Sequence, residues 1–97
     1  MPTSLPRQPF TAWRIAGIPA RAGVYVLWQG EEILYVGRAH GAATMRSRLM
    51  EHYTRQVKPW DATHFSWEAC ERPAEREAAA LREAQRALGC LPRYNGG

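Results

Sequence analysis

Only two cysteines, Cys70 and Cys90, occur in the 97 residues. Two thiols make neither a disulfide framework nor a zinc-ligand spacing, so a reducing compartment is expected, and with it a cytoplasmic location. Lysine is scarcer still. Twelve of the thirteen basic residues are arginine, and Lys58 is the exception. No apolar run approaches the roughly 20 residues of a membrane span, so no membrane partner is expected. The segment Met1 to Phe10 has prolines but no apolar centre, so no secretory signal is expected either. Internal repeats and low-complexity tracts are missing. These absences speak against a disulfide-stapled scaffold, a zinc ribbon, a helical membrane protein and a solenoid. What is present is one domain's worth of chain, 45% apolar, with a net charge of +4. Arginine has a planar fork that grips phosphate at two points, which makes a polyanion a reasonable partner. An arginine-rich genome would give the same composition, so charge alone does not decide.

Residues 1–14 hold Pro2, Pro6 and Pro9 and read as an extended arm, lying on the domain or loose in solvent. Residues 15–97 read as the domain itself. Val24-Tyr25-Val26-Leu27-Trp28 and Ile33-Leu34-Tyr35-Val36 are β-branched and aromatic runs around the polar turn Gln29 to Glu32, the pattern of a β-hairpin. A helix is predicted from Thr44, a good N-cap, to Arg55, with Met45, Leu49 and Tyr53 as its buried stripe. The alternation Phe65, Trp67, Ala69 predicts a third strand within 63–71. A second helix is predicted from Pro73 to Leu88, with Gly89 ending it and Leu81, Ala84 and Leu88 facing the core. The order strand, strand, helix, strand, helix describes an α+β fold: a small three-stranded, mainly antiparallel sheet flanked by helices.

Several residue types with chemistry fall on these elements. Tyr25 and Tyr35 lie on neighbouring strands and can approach each other, although paired phenols on a sheet are often packing residues. Arg48 and His52 are one turn apart on the first helix, with Arg46 and Arg55 at other angles. An Arg and a His on one face can clamp a phosphate and handle a proton beside it. A solvated basic face has the same spelling. On the second helix, Glu83 sits roughly opposite Leu81 with Ala79, Ala80 and Ala87 around it, which leaves an open approach to its carboxylate. A hard cation such as Mg²⁺ often takes one or two carboxylates and fills its shell with water and phosphate. An ordinary exposed glutamate is the plain alternative.

Together these residues resemble a known family. Gly23-Val24-Tyr25 and Tyr35-Val36-Gly37, separated by nine residues, look like the paired elements of the GIY-YIG nucleases. The lead-in Ile18 to Gly23 is similar to that of the nuclease domain of bacterial excision-repair proteins. Tyr35-Val36-Gly37-Arg38-Ala39, Arg48-Leu49 and His52-Tyr53 follow the family's second strand and first helix. Glu83, with Pro92-Arg93-Tyr94-Asn95 ending twelve residues beyond it, resembles the metal-binding glutamate and the closing segment. The resemblance covers about residues 15–95. Two features depart from it: the loop from Gly37 to Arg48 is about three residues longer than in several relatives, and residue 38 is Arg where Lys is common.

The resemblance implies a metal-dependent endonuclease that hydrolyses a DNA phosphodiester to 5′-phosphate and 3′-hydroxyl ends. It implies Tyr25 as general base, its phenol lowered by cationic neighbours, with Arg38 as the nearest candidate and the metal adding to the field. Tyr35 would position the water, Arg48 would neutralise the scissile phosphate, and His52 would bind phosphate or assist proton transfer. Glu83 would hold one Mg²⁺ or Mn²⁺, and Asn95 would orient Glu83 or the closing loop. Arg38, Arg46, Arg55 and Arg93 would contact the DNA backbone. Trp13 and Trp60, beside loops and cations, would stack on unpaired bases, which favours single-stranded or structured DNA over plain duplex. Trp28 and Trp67, on strands, read as core. Other readings remain open: a duplex endonuclease, a catalytically silent nucleic-acid-binding module, or a protein-interaction domain using the Ala-rich helix. A homodimer through that helix is also accommodated.

Overall fold

Gly23 to Trp28 are buried residue after residue. A strand buried on both faces must lie inside a sheet and be covered twice, and the architecture follows from that demand. The structure, a computed structural model, describes residues 6–96. Along the chain lie β1 (Gln8–Pro9), α1 (Ala12–Ala16), β2 (Gly23–Gln29), β3 (Glu32–Ala39), α2 (Met45–Tyr53), β4 (His64–Ala69), α3 (Pro73–Leu88) and a closing 3₁₀ turn, Arg93–Asn95. The sheet order is β1-β4-β2-β3, antiparallel throughout. β2 is therefore central, hydrogen-bonded to β3 on one side and β4 on the other.

The sheet has four strands, not the expected three. The extra strand comes from the segment read as an arm, where Gln8 and Pro9 pair with Phe65 and His64. Pro9 is tolerated because a two-residue edge strand need not donate a ladder hydrogen bond there. Residues 6–14 thus belong to the fold. Thr11 accepts a hydrogen bond from the Arg14 amide and caps α1, and Ile15 drops into the core. The proposed arm's first residues, including Pro2, lie outside the described residues.

Side chains alternate between the two faces of β2. Tyr25 and Leu27 pack with Ile15, Ile18, Met45, Leu49 and Phe65 under α1 and α2. Val24, Val26 and Trp28 pack with Ile33, Val36, Ala80 and Ala84 under α3. Each fully buried aliphatic or phenyl side chain contributes roughly 1.5–3 kcal/mol. Trp28 is core, as expected, and Trp67 is partly buried against the first of these clusters.

Both long helices begin as expected but present different faces. On α2, Thr44 and Ser47 cap each other reciprocally. Its buried residues are Met45, Leu49 and His52, whereas Tyr53 is exposed and rests edge-on against Phe10. On α3, Pro73 opens the helix and Gly89 closes it with φ 78°. The buried seam there is Pro73, Ala80 and Ala84, with Leu81 half-buried and Leu88 exposed. The expected leucine stripe is therefore corrected: small alanines let the helix sit close on Val24, Val26 and Val36, and this turns the leucines toward the rim. No described helix is long and apolar enough to cross a membrane.

Candidate active site

β2 and β3 set the two phenols. In register Tyr25 faces Gly37 and Tyr35 faces Leu27, so the tyrosines are diagonal neighbours on the α2 face of the hairpin. Their ring centres are 6.2 Å apart. Gly37 makes this approach feasible. A Cβ there would lie 2.5 Å from Tyr25 Cζ and 2.6 Å from Tyr35 Cε2, so the YVG glycine is needed for space.

α2 brings His52 over both rings, with centroid distances of 5.7 Å to Tyr25 and 5.5 Å to Tyr35. The Tyr25 hydroxyl and His52 Nε2 are 3.1 Å apart, a buried hydrogen bond. The Pro59 and Val57 carbonyls lie close enough to the ring to favour its protonated form. Nδ1 is buried without a partner among the described residues. A proton on Nδ1 is the tautomer that leaves Nε2 to accept the Tyr25 O–H. Burial holds His52 below its ordinary value, with Arg48 adding to the effect, so the ring is neutral at pH 7.

The phenols themselves run against the expectation of a lowered Tyr25. Burial pushes Tyr25 well up from the usual phenol range, with Tyr35, Glu51 and Glu77 acting in the same direction and Arg48 opposing them. Tyr35 is raised by burial and by Glu77, against Arg48 and Arg38. The cation acting on Tyr25 is Arg48, and Arg38 is not among its influences. In the resting protein both tyrosines are neutral, and a proton leaving Tyr25 requires His52 as acceptor.

Arg48 stands at the mouth of this cluster. Its side chain is 45% exposed and paired with Glu51 at 3.0 Å. Its charge acts on Tyr25, Tyr35 and His52 alike, so the structure does bring Tyr25, Tyr35, Arg48 and His52 together.

Glu83 lies on a different flank of α3 from the carboxylate that acts on the phenols. Its half-buried side chain points from the flank of α3 that also carries Arg76, the partner of Glu68 on β4. One of its carboxylate oxygens is shielded from solvent, so the carboxylate is less open than expected. The α3 carboxylate that acts on both phenols is Glu77. At 100° per residue the two glutamates are about 120° apart around the helix, one on each side of the alanine seam. Glu77 lies toward β3, where Arg38 approaches it at 3.5 Å. Burial pushes its carboxyl up, and Arg38 opposes this. Sequence reasoning missed Glu77 because it phased the helix on its leucines. The alternative seam 73, 80, 84 was there to be read, and it sets Glu77 beside β3.

Comparisons of the chain with protein-family models, with curated proteins and with solved structures returned no match.

The remaining sequence candidates divide. Asn95 ties the closing segment to β3. Its side-chain amide accepts from the Val36 N–H at 2.8 Å and donates to the Val36 carbonyl at 3.0 Å. It thereby completes the free edge of β3 in the way a neighbouring strand would, one residue from Tyr35. Asn95→Ala should cost about 1–2 kcal/mol, the net value of two hydrogen bonds to partly buried groups. A denaturant midpoint equal to wild type would show that the clip adds nothing. Arg46 is engaged with the Ile18 carbonyl at 3.0 Å through Nε and braces the lead-in to β2 instead of facing outward. Arg93 pairs with Glu32 at 3.0 Å and Asp61 at 3.7 Å. Arg55, exposed with φ 65°, ends the α2 turn. Trp13 is 79% exposed on α1 and lines a cleft of about 440 Å³ with Arg14 and Trp67, on the β1 side of the sheet. Trp60 stands beside Pro59, next to His52.

Proposed function

We propose that this chain is a metal-dependent DNA endonuclease of the GIY-YIG type. The observation that carries the reading is the convergence of Tyr25, Tyr35, His52 and Arg48 on one face of the hairpin, with Glu77 acting on the same phenols from α3. A buried phenol hydrogen-bonded to a neutral imidazole beside an exposed guanidinium is suited to moving a proton next to a phosphate.

No group of three or more His, Cys, Asp or Glu able to hold a metal occurs among the described residues. A Mg²⁺ or Mn²⁺ site that relies on substrate phosphate and water needs only one or two carboxylates, and Glu77 fits that demand. Its carboxylate is partly withdrawn from water and balanced by a single cation. The ion would supply charge stabilisation at the departing oxygen. The protein's own residues do the rest. As water attacks the phosphorus and the bond to the 3′ oxygen breaks, the water proton passes to the Tyr25 oxygen while the Tyr25 proton moves to His52 Nε2, and the departing 3′ oxygen takes a proton from solvent water. The Pro59 and Val57 carbonyls then favour the imidazolium. Tyr35 orients the water, and Arg48 turns from Glu51 to the phosphate and offsets its growing negative charge.

The direct test is incubation of labelled duplex, single-stranded and branched DNA with Mn²⁺ or Mg²⁺ and with EDTA. Metal-dependent 5′-phosphate and 3′-hydroxyl ends are expected. Salt-sensitive binding without any cutting would leave a silent binding module. The proton relay gives a second expected result. His52 must be neutral to act, and burial keeps it neutral below the ordinary histidine value of about 6.5. Cleavage should therefore hold level above about pH 6.5 and fall only at lower pH. The same group binds fewer protons folded than unfolded, so the stability it confers is complete above about pH 6.5 and declines as pH falls. An acid limb centred above pH 7 in the rate profile would remove His52 from the relay.

A further inference from the structure

We infer that the cleft between Trp60 and Tyr94 receives one unpaired base of a DNA strand whose phosphate lies at the tyrosine–histidine cluster. This rests on the nuclease reading for its biological use, but the subsite stands on its own geometry.

The cleft has a volume of about 300 Å³ and is lined by Lys58, Trp60, Asp61 and Tyr94. Both aromatic walls are anchored to the candidate site by their chain neighbours. Pro59, fully buried, precedes Trp60, and its carbonyl lies near His52. Asn95 follows Tyr94 and grips the backbone of Val36 beside Tyr35. A group held between these rings is thus one residue removed, on each side, from groups touching the catalytic cluster.

The rings are not core residues. Trp60 is 48% exposed although its neighbour is buried, and Tyr94 is half-buried with part of its surface open. Aromatic surface held open on an anchored backbone is what base stacking uses, since every base offers a π-face. Charge decides which part of a nucleotide enters. Lys58 Nζ lies over the Trp60 ring, 5.3 Å from its centre, and Arg93 Cζ over that of Tyr94 at 5.9 Å, so each cation covers one face of its ring, leaves the other to a base, and can meet a backbone phosphate beside it. Asp61 lines the cleft itself and pairs with Arg93. A carboxylate there repels phosphate but accepts from a base N–H. A base therefore enters while its phosphates stay at the rim. The base must be unpaired, because in a duplex its faces are already stacked and its hydrogen-bonding edge is occupied.

The test is binding in EDTA, without chemistry. Fluorescence anisotropy would follow a labelled single-stranded oligonucleotide and the same sequence as duplex. Trp60→Ala should weaken single-strand binding about tenfold, the usual loss of one stacking partner, and leave duplex binding unchanged. Trp60→Phe should recover most of the loss. Tyr94→Ala should repeat the selective effect, and circular dichroism would establish that each variant is folded. The salt dependence of Trp60→Ala should match wild type, because no phosphate contact is removed. Equal single-strand binding by wild type and a folded Trp60→Ala would overturn the subsite. So would an equal loss for both DNA forms. Cleavage is absent from the assay, so a protein that failed to cut DNA would sink the nuclease reading and leave this result standing.

Discussion

Glu77→Gln should abolish metal-dependent cleavage, by a factor of about 10³ or more, because on the proposed mechanism the exchange removes the carboxylate that would hold the ion and with it several kcal/mol of charge stabilisation. Glu83→Gln should leave the rate within a few-fold of wild type. The contrast follows from helix phase. Glu77 flanks the alanine seam on the β3 side and acts on Tyr25 and Tyr35. Glu83 flanks it on the side of Arg76 and Glu68. Glu83 also has a shielded oxygen, so its replacement should be felt in the unfolding midpoint rather than in the rate. DNA binding in EDTA should survive Glu77→Gln, since a negative charge is lost beside Arg38. The two variants compared at saturating Mn²⁺ make the measurement. Full activity in Glu77→Gln with loss in Glu83→Gln would return the carboxylate role to Glu83 and require α3 to sit differently on the sheet.

Gly37→Ala should lower cleavage by about 10² or more and destabilise the fold by about 1–3 kcal/mol. The added methyl would lie 2.5 Å from Tyr25 Cζ, 2.6 Å from its hydroxyl and 2.6 Å from Tyr35 Cε2. Tyr25 is 2% exposed, so its ring cannot swing into solvent to make room, and overpacking a buried site costs energy in this range. The rate loss has its own cause: the Tyr25 hydroxyl is pushed from His52, and a displacement of about 1 Å at reacting groups can cost a factor of about 10². Rate and denaturant midpoint measured on one preparation separate the two effects. A variant with a wild-type rate would show that the Tyr25–His52 contact is not used in catalysis.

Much of this arrangement was legible from residue patterns. The hairpin, the capped α2, the strand carrying Phe65 and Trp67, and the bounds of α3 all have local signals of period, cap or stop. The N-terminal elements were not. β1 is two residues long and includes a proline, and it exists only because β4 offers it an edge. α1 has its cap at Thr11 and its stop at Gly17, but five residues are too few for helical periodicity to emerge. The site was legible to the extent that each residue lay on a correctly phased element. Tyr25 and Tyr35 were placed by strand alternation, and Arg48 and His52 by one helical turn. Glu77 was missed because leucines outweigh alanines in any hydrophobic pattern, while packing against a valine-rich sheet rewards the smaller side chain. Tyr25's raised pKa was also out of reach, since burial is a property of the assembled core and outweighs the nearby arginine.

The contact between Asn95 and Val36 has a consequence for how copies of the protein meet. β3 is the outermost strand on its side of the sheet, and a bare edge of that kind is a template for intermolecular pairing and aggregation. Asn95 occupies both polar groups of Val36 and interrupts the row of free donors and acceptors in mid-strand. Arg38 toward one end and Glu32 at the other place charges beside that break. An incoming strand would have to evict the amide before it could form a continuous ladder, so the contact that steadies Tyr35 also guards the protein's solubility.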